Sequence, residues 1–180
     1  MGAIYDFEPV KLILGVIYSD EEVFAKAMGL FKKEFGETDA ECEEFSFSDE
    51  FSTYYDEEIG GEGLRRIYSF KELVDPARQA DIKTKTNEIE AIFSEGGNRK
   101  INLDPGFINH GRLLLATTKE TGFRIPLKDG IYTELTLFWA RGGWQKLPWT
   151  YRDYQSERVQ NFITKVRQSY LAERRKNITK

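Results

Sequence analysis

One cysteine and one histidine in 180 residues remove most of the nucleophilic and metal chemistry that a protein of this size can carry. Cys42 has no partner for an intrachain disulfide, which excludes a disulfide-stapled secreted domain. With His110 as the only imidazole, a zinc site or a Cys/His or Ser/His/Asp apparatus would have to be assembled from unique residues far apart in the chain. Cys42 stands among Glu41, Glu43 and Glu44, whose charge raises a thiol pKa, so a core or partly buried thiol is expected rather than a nucleophile. Long apolar runs are missing as well. Leu12 to Tyr18 is the longest, well short of the roughly 20 residues that cross a bilayer, and the acidic start with Asp6 and Glu8 lacks the form of a signal peptide. No membrane association and a cytoplasmic location are expected. A phosphate-binding G-x-x-x-x-G-K-[ST] loop is absent too, because Gly60-Gly61-Glu62-Gly63 runs into Leu64-Arg65. Nor is there an excess of basic charge: the net charge of −4 argues against nucleic acid as a main partner. Arg174, Arg175, Lys176 and Lys180 form a basic tail over 172–180 that a frayed helix end explains. No repeat, low-complexity tract or Pro/Ser-rich linker divides the chain, so a single domain over 1–180 is expected.

What is present begins with aromatics, at 14% of residues, which can fill a core or line a pocket. Val10 to Tyr18 is almost continuously apolar and β-branched, as a central strand covered on both faces would be. Ser19-Asp20-Glu21-Glu22 reads as a capping box with Ser19 as N-cap. Phe24, Ala27, Met28, Phe31 and Phe35 make a helical stripe, and Gly36 is its stop. A strand from Cys42 to Ser48 follows. Arg65 to Phe70 reads as another strand, and Pro76 opens a helix with Ile82, Ile89, Ile92 and Phe93 as its stripe, Glu88 and Glu90 being solvated. Arg99 to Leu103 is the next strand. This β-α-β-β-α-β order is the split arrangement of ferredoxin-like folds. Beyond it, Arg112–Lys119, Phe123–Leu127, Ile131–Ala140 and Trp144–Leu147 read as an antiparallel meander with turns at Thr121-Gly122, Asp129-Gly130 and Gly142-Gly143. Ser156 caps a C-terminal helix. The predicted class is α+β.

Asn102-Leu103-Asp104-Pro105-Gly106 places Asn and Asp at period-two spacing, on one face of a strand, before Pro-Gly is expected to turn the chain. Asp104 suits a general base or a metal ligand, with Asn102 orienting a substrate; a local Asx turn is the plainer alternative. Arg65, Lys83, Arg99, Lys119 and Arg124 stand near element boundaries, where convergence of several would suit a phosphate or carboxylate. Scattered solvated charges are the alternative. Glu134 occupies a strand centre, so it must meet solvent, a cation or a ligand. Lys83 and Asn87, four apart, share a helix face. Tyr54, Tyr55, Glu57 and Glu58 lie in a loop able to cover a ligand, and the segment from Trp149 to Tyr154, with Asp153 in it, could form the opposite rim or a packed connector.

Three segments, Tyr54-Tyr55-Asp56-Glu57-Glu58-Ile59-Gly60, Asn102-Leu103-Asp104-Pro105-Gly106 and Leu147-Pro148-Trp149-Thr150-Tyr151-Arg152-Asp153-Tyr154, combine with Arg65, Lys83, Asn87, Arg99, Lys119, Arg124 and Glu134. Together they make the chain resemble an uncharacterised bacterial family, a domain of unknown function of about this length, from Lys11 to Tyr170. The resemblance implies no activity. The chain departs from the family at Phe123, where a His commonly precedes the Arg, and at Phe107, where Tyr commonly follows Asp-Pro-Gly.

The resulting expectation is binding or conversion of a small anionic ligand, phosphorylated ligands included. Tyr55, Arg65, Lys83, Asn87, Arg99, Asn102, Lys119, Arg124, Trp149 and Asp153 would contact it. Asp104 and Glu134 would serve as acid/base groups or hold a magnesium ion. The alternative is a non-catalytic RNA- or protein-binding module, against which Ile101 and Leu103 put aliphatic side chains where an RNA-binding sheet needs aromatics. One register follows from charge: a three-residue loop at Lys128-Asp129-Gly130 makes paired numbers sum to 258 and sets Arg124 opposite Glu134, whereas a two-residue turn would not.

Overall fold

The computed structural model describes residues 2–178 and is a mixed α+β structure with one eight-stranded sheet, antiparallel at every pairing. In chain order the elements are β1 (Val10–Tyr18), α1 (Glu21–Phe35), β2 (Thr38–Ser46), the one-turn helices α2 (Phe47–Glu50) and α3 (Asp56–Ile59), β3 (Leu64–Val74), α4 (Gln79–Ile92), β4 (Ile101–Ile108), β5 (Arg112–Thr117), β6 (Ile125–Pro126), β7 (Tyr132–Ala140), β8 (Gly143–Lys146) and α5 (Glu157–Ile178). The strand order is β2-β3-β1-β4-β5-β7-β6, with β8 also on β7. Because β1 opposes β3 and β3 opposes β2, β1 and β2 run parallel with β3 between them. That is the split β-α-β-β-α-β arrangement expected from the sequence.

β1 is buried along its whole length because each face has a cover. Val10, Leu12, Leu14, Val16 and Tyr18 pack with the α1 stripe and with Ile82 and Ile89 of α4. Ile13, on the other face, packs with Val159, Phe162, Ile163 and Val166 of α5. Two covers account for a strand without polar alternation. Lys11 shares the α5 face, is fully buried, and reaches Asp39 at 2.6 Å and Glu173 at 2.8 Å, so it ties α5 to the sheet. Cys42 is buried in the same cluster, which pushes its thiol up to about 11.

Several local expectations are corrected. The N-cap of α1 is Asp20, which accepts from the N–H groups of Glu22 and Val23, while Ser19 donates to the Ile59 carbonyl. Asp and Ser are both good caps, and the tertiary bond to Ile59 takes Ser19 away from the helix. β2 starts earlier than Cys42 and ends at Ser46, which caps α2. Ile92 is exposed, while Ile89 and Phe93 of the expected stripe pack against the core. In β7 the alternation breaks at Thr136, where a bulge opposite Leu113 and Leu114 shifts the register. The basic tail stays helical through Ile178, and Arg174 forks onto Glu8 at 2.8 and 2.9 Å; 179–180, with Lys180, lie outside the described residues.

The main correction is at Asp104-Pro105-Gly106. The chain does not turn there; β4 continues to Ile108. Gly106 is required by close approach, since a Cβ would lie 2.6 Å from both the Leu114 carbonyl oxygen and Leu115 Cδ2. Pro105, with no N–H to donate, stands just before the first β4–β5 pair, Gly106 with Leu115. Gly106→Ala is expected to lower stability by about 1–3 kcal/mol, because a backbone oxygen cannot move aside as a side chain can. Urea unfolding measures it, and a loss under 0.5 kcal/mol would show that β5 is not held so close.

Candidate functional site

Upstream of Gly106 the β4–β5 ladder stops, and the two strands part. A cavity of about 110 Å³ opens beside this gap, with Asn102 and Asp104 from β4 on one side and Ala116, Thr117, Thr118 and Lys119 from the end of β5 on the other. Phe47, Tyr55, Arg65, Lys83, Arg99, Glu134, Tyr151, Asp153 and Tyr154 complete its main lining. Nine of the twelve residues singled out from sequence therefore line one cavity: Tyr55, Arg65, Lys83, Arg99, Asn102, Asp104, Lys119, Glu134 and Asp153. Residues spread over β3, α4, β4, β7 and four connectors meet there because the split topology sets β3, β1 and β4 side by side.

Arg65 forms the floor. It is 2% exposed, and Gly15 on the neighbouring strand leaves its guanidinium room, since a Cβ there would stand 2.7 Å from Nη2. Its Nη1 is 3.5 Å from Asp104 and its Nη2 is 3.2 Å from Asp153. The second contact is ionic rather than a hydrogen bond: Asp153 Oδ2, Arg65 Nε and Tyr154 Oη are all buried without a hydrogen-bond partner. Burial raises the Asp153 carboxyl above its ordinary range, with Arg65 opposing. Burial pulls the Arg65 guanidinium down, but the surrounding Asp153, Tyr154 and Asp104 more than offset it and keep the group charged.

On the β4 side, Asn102 and Asp104 share a strand face as expected, and Asn102 donates to Asp104 Oδ2 at 2.6 Å. Lys83 reaches from α4 through the gap, donating to the Leu103 carbonyl at 2.8 Å with Asp104 Oδ1 at 3.8 Å. Arg99 forks onto Glu58 at 2.6 and 3.0 Å and also meets Glu90 at 3.1 Å. Glu90 is not solvated. It is 5% exposed and accepts the Leu103 N–H at 2.6 Å, and burial raises its pKa against the pull of Lys83 and Arg99.

On the opposite side the register is the one that charge favoured: Ile125 pairs with Thr133 and Pro126 with Tyr132. Arg124 Nε meets Glu134 Oε2 at 2.8 Å. Arg124 itself stands behind the cavity wall, where it also donates to the Lys119 carbonyl at 2.7 Å and to Tyr151 Oη at 2.9 Å. It thus positions three residues of the lining. Trp149 lies outside the lining, stacked on Phe123 at 4.5 Å and donating to the Leu135 carbonyl; Asn87 also lies outside it. Lys119 has a different role from the other cations. Its ammonium sits 5.3 Å from the centre of the Tyr54 ring and 3.4 Å from the Tyr54 hydroxyl, and among the described residues it has no carboxylate partner.

Three tyrosines at the cavity keep their protons at neutral pH. Burial raises Tyr55, with Asp104 adding to it, and raises Tyr154 against Arg65; burial and then Glu134 push Tyr151 up to about 12. Among the described residues no three of His, Cys, Asp and Glu are arranged to hold a metal ion, and Asp104 and Glu134 are each engaged by cations of the chain. Glu58, from the loop expected to cover a ligand, reaches the site only through Arg99, and Glu90, Tyr151 and Tyr154 are the neighbours that residue-by-residue reading did not single out as a site. Tyr151 and Tyr154 could have been found by giving the whole Trp149–Tyr154 segment equal weight.

Compared with known proteins, residues 8–170 match the family model described as "Domain of unknown function (DUF4416)". No curated protein matches, and no solved structure matches.

Proposed function

The chain belongs to the DUF4416 family, whose description assigns no activity, and we propose that it binds a small anionic ligand in the cavity beside the β4–β5 gap. The observation that carries this reading is Lys119: it lines the cavity and has no carboxylate partner, whereas Arg65, Lys83, Arg99 and Arg124 each have one. An arriving phosphate or carboxylate would complete its pairing, and the tyrosine hydroxyls would add neutral donors. Asp104 is the carboxylate placed to act on a bound ligand, because it is held between Asn102, Arg65 and Lys83 yet keeps 28% of its side chain exposed. We place this activity in the cytoplasm, in keeping with a lone buried thiol.

An RNA-binding sheet draws less support, since Ile101 and Leu103 are fully buried beneath the helices rather than displayed. The test is a thermal-shift and calorimetric screen of phosphate and carboxylate compounds. Lys119→Ala is expected to weaken binding of any hit about tenfold, equal to about 1.4 kcal/mol, and rising salt should weaken the wild type more than the variant. Equal affinity in wild type and variant would remove Lys119 from the site.

A further inference from the structure

We infer that the ligand carries one anionic head on a hydroxyl-bearing body, and is neither a polyphosphate nor a bare anion. This rests on the anion-binding reading above and narrows its chemistry. The charged lining consists of four cations, Arg65, Lys83, Arg99 and Lys119, against three carboxylates, Asp104, Glu134 and Asp153, a difference of one positive charge. Glu58 and Glu90 pair with Arg99 from outside the lining, as Arg124 does with Glu134; setting both pairs aside leaves Arg65, Lys83 and Lys119 against Asp104 and Asp153, again a difference of one positive charge. One headgroup can therefore be largely matched, whereas a di- or triphosphate would bring charge that nothing in the lining offsets. The head belongs at Lys119, the cation without a carboxylate.

The floor asks for a different kind of group. Arg65 Nε can donate, Asp153 Oδ2 can accept and Tyr154 Oη can do either; the Arg65 guanidinium faces both Asp153 and Tyr154, yet among the described residues none of these three atoms makes a hydrogen bond of good geometry. Asp104 Oδ1 lies 3.8 Å from Lys83 Nζ, beyond hydrogen-bond distance, and the Asp104 side chain is 28% exposed. Donor and acceptor needs side by side are met by hydroxyls, which both give and take a hydrogen bond. An ammonium could serve the carboxylates but would confront Arg65. An alkyl body would leave every one of these groups unpaired, the condition that sites built for hydroxyls discriminate against.

The experiment is isothermal titration of the full chain with ribose 5-phosphate, ethyl phosphate, gluconate, acetate and ATP. Ribose 5-phosphate should bind at least about tenfold tighter than ethyl phosphate, and ATP should bind more weakly than ribose 5-phosphate. Gluconate against acetate repeats the comparison for a carboxylate head, and whichever pair binds identifies the head. Asp104→Asn should bring the hydroxyl-bearing ligand down toward its simple counterpart; if that variant does not fold, the wild-type comparison alone decides. Equal affinities within both pairs would overturn the hydroxyl inference and leave the anion site standing. ATP as the tightest ligand would overturn the single-head inference. No binding by any of the five would count against the anion site itself.

Discussion

Arg65→Met should cost about 3–5 kcal/mol of unfolding free energy, the range for removing one partner of a buried ion pair. Methionine fills the space of the aliphatic stem, so the loss reports the charge. Asp153, 3% exposed, would remain with its nearest cation gone, and Asp104 would keep the Asn102 hydrogen bond and, as a cation, Lys83 at 3.8 Å. The effect should depend on pH in a fixed direction. Burial already holds the Asp153 carboxyl above its ordinary value and Arg65 opposes that rise, so in the variant the pKa climbs further. Between the unfolded value, about 3.9, and the raised folded value, the folded state keeps a proton that the unfolded chain has lost. Stability of the variant then increases as pH falls through that window, and its deficit against the wild type is smaller at pH 5 than at pH 8. Urea midpoints at the two pH values measure it. A deficit under 1 kcal/mol, or one that widens on acidification, would contradict the arrangement at the cavity floor.

Glu90→Ala is expected to cost about 2–3 kcal/mol, the scale of a buried hydrogen bond to a charged group. It strands the Leu103 N–H, and Arg99 falls back on Glu58 alone. Glu90→Gln separates the two contributions: its amide oxygen can still accept from Leu103, so it should lose less than half as much. Chemical denaturation of both variants gives the comparison, and equal losses would show that the charge, not the hydrogen bond to β4, is what matters.

Glu90 also shows where sequence reading stops. On α4 it follows Ile89 and sits among polar positions, the ordinary pattern of a solvated flank; its burial comes from the crossing of α4 over β4, a tertiary fact with no local sign. Pro105-Gly106 fails for a similar reason. The residue types are those of a turn, yet Gly106 is present for the close approach of Leu114 and Pro105 for the end of a ladder. Where the determinant is local, the sequence was legible. The unbroken apolar run of Val10–Tyr18 marked a strand covered twice. At Lys128-Asp129-Gly130, where the turn allows two registers, the charges of Arg124 and Glu134 pointed to the one observed, with Asp129 and Gly130 at positive φ. The period-two spacing of Asn102 and Asp104 put both side chains on one strand face, though not the hydrogen bond between them. Which cations carry carboxylate partners was not legible, because Arg99 meets Glu58 across 41 positions and Arg65 meets Asp153 across the fold.

A crystal of the wild-type protein soaked in ribose 5-phosphate tests the cavity as a binding site. Density for a phosphate is expected within hydrogen-bond distance of Lys119 Nζ, with ribose hydroxyls on Asp104 and toward Arg65 Nε and Asp153 Oδ2. Density for the sugar phosphate elsewhere on the surface, with the cavity holding only ordered water on those same atoms, would contradict it.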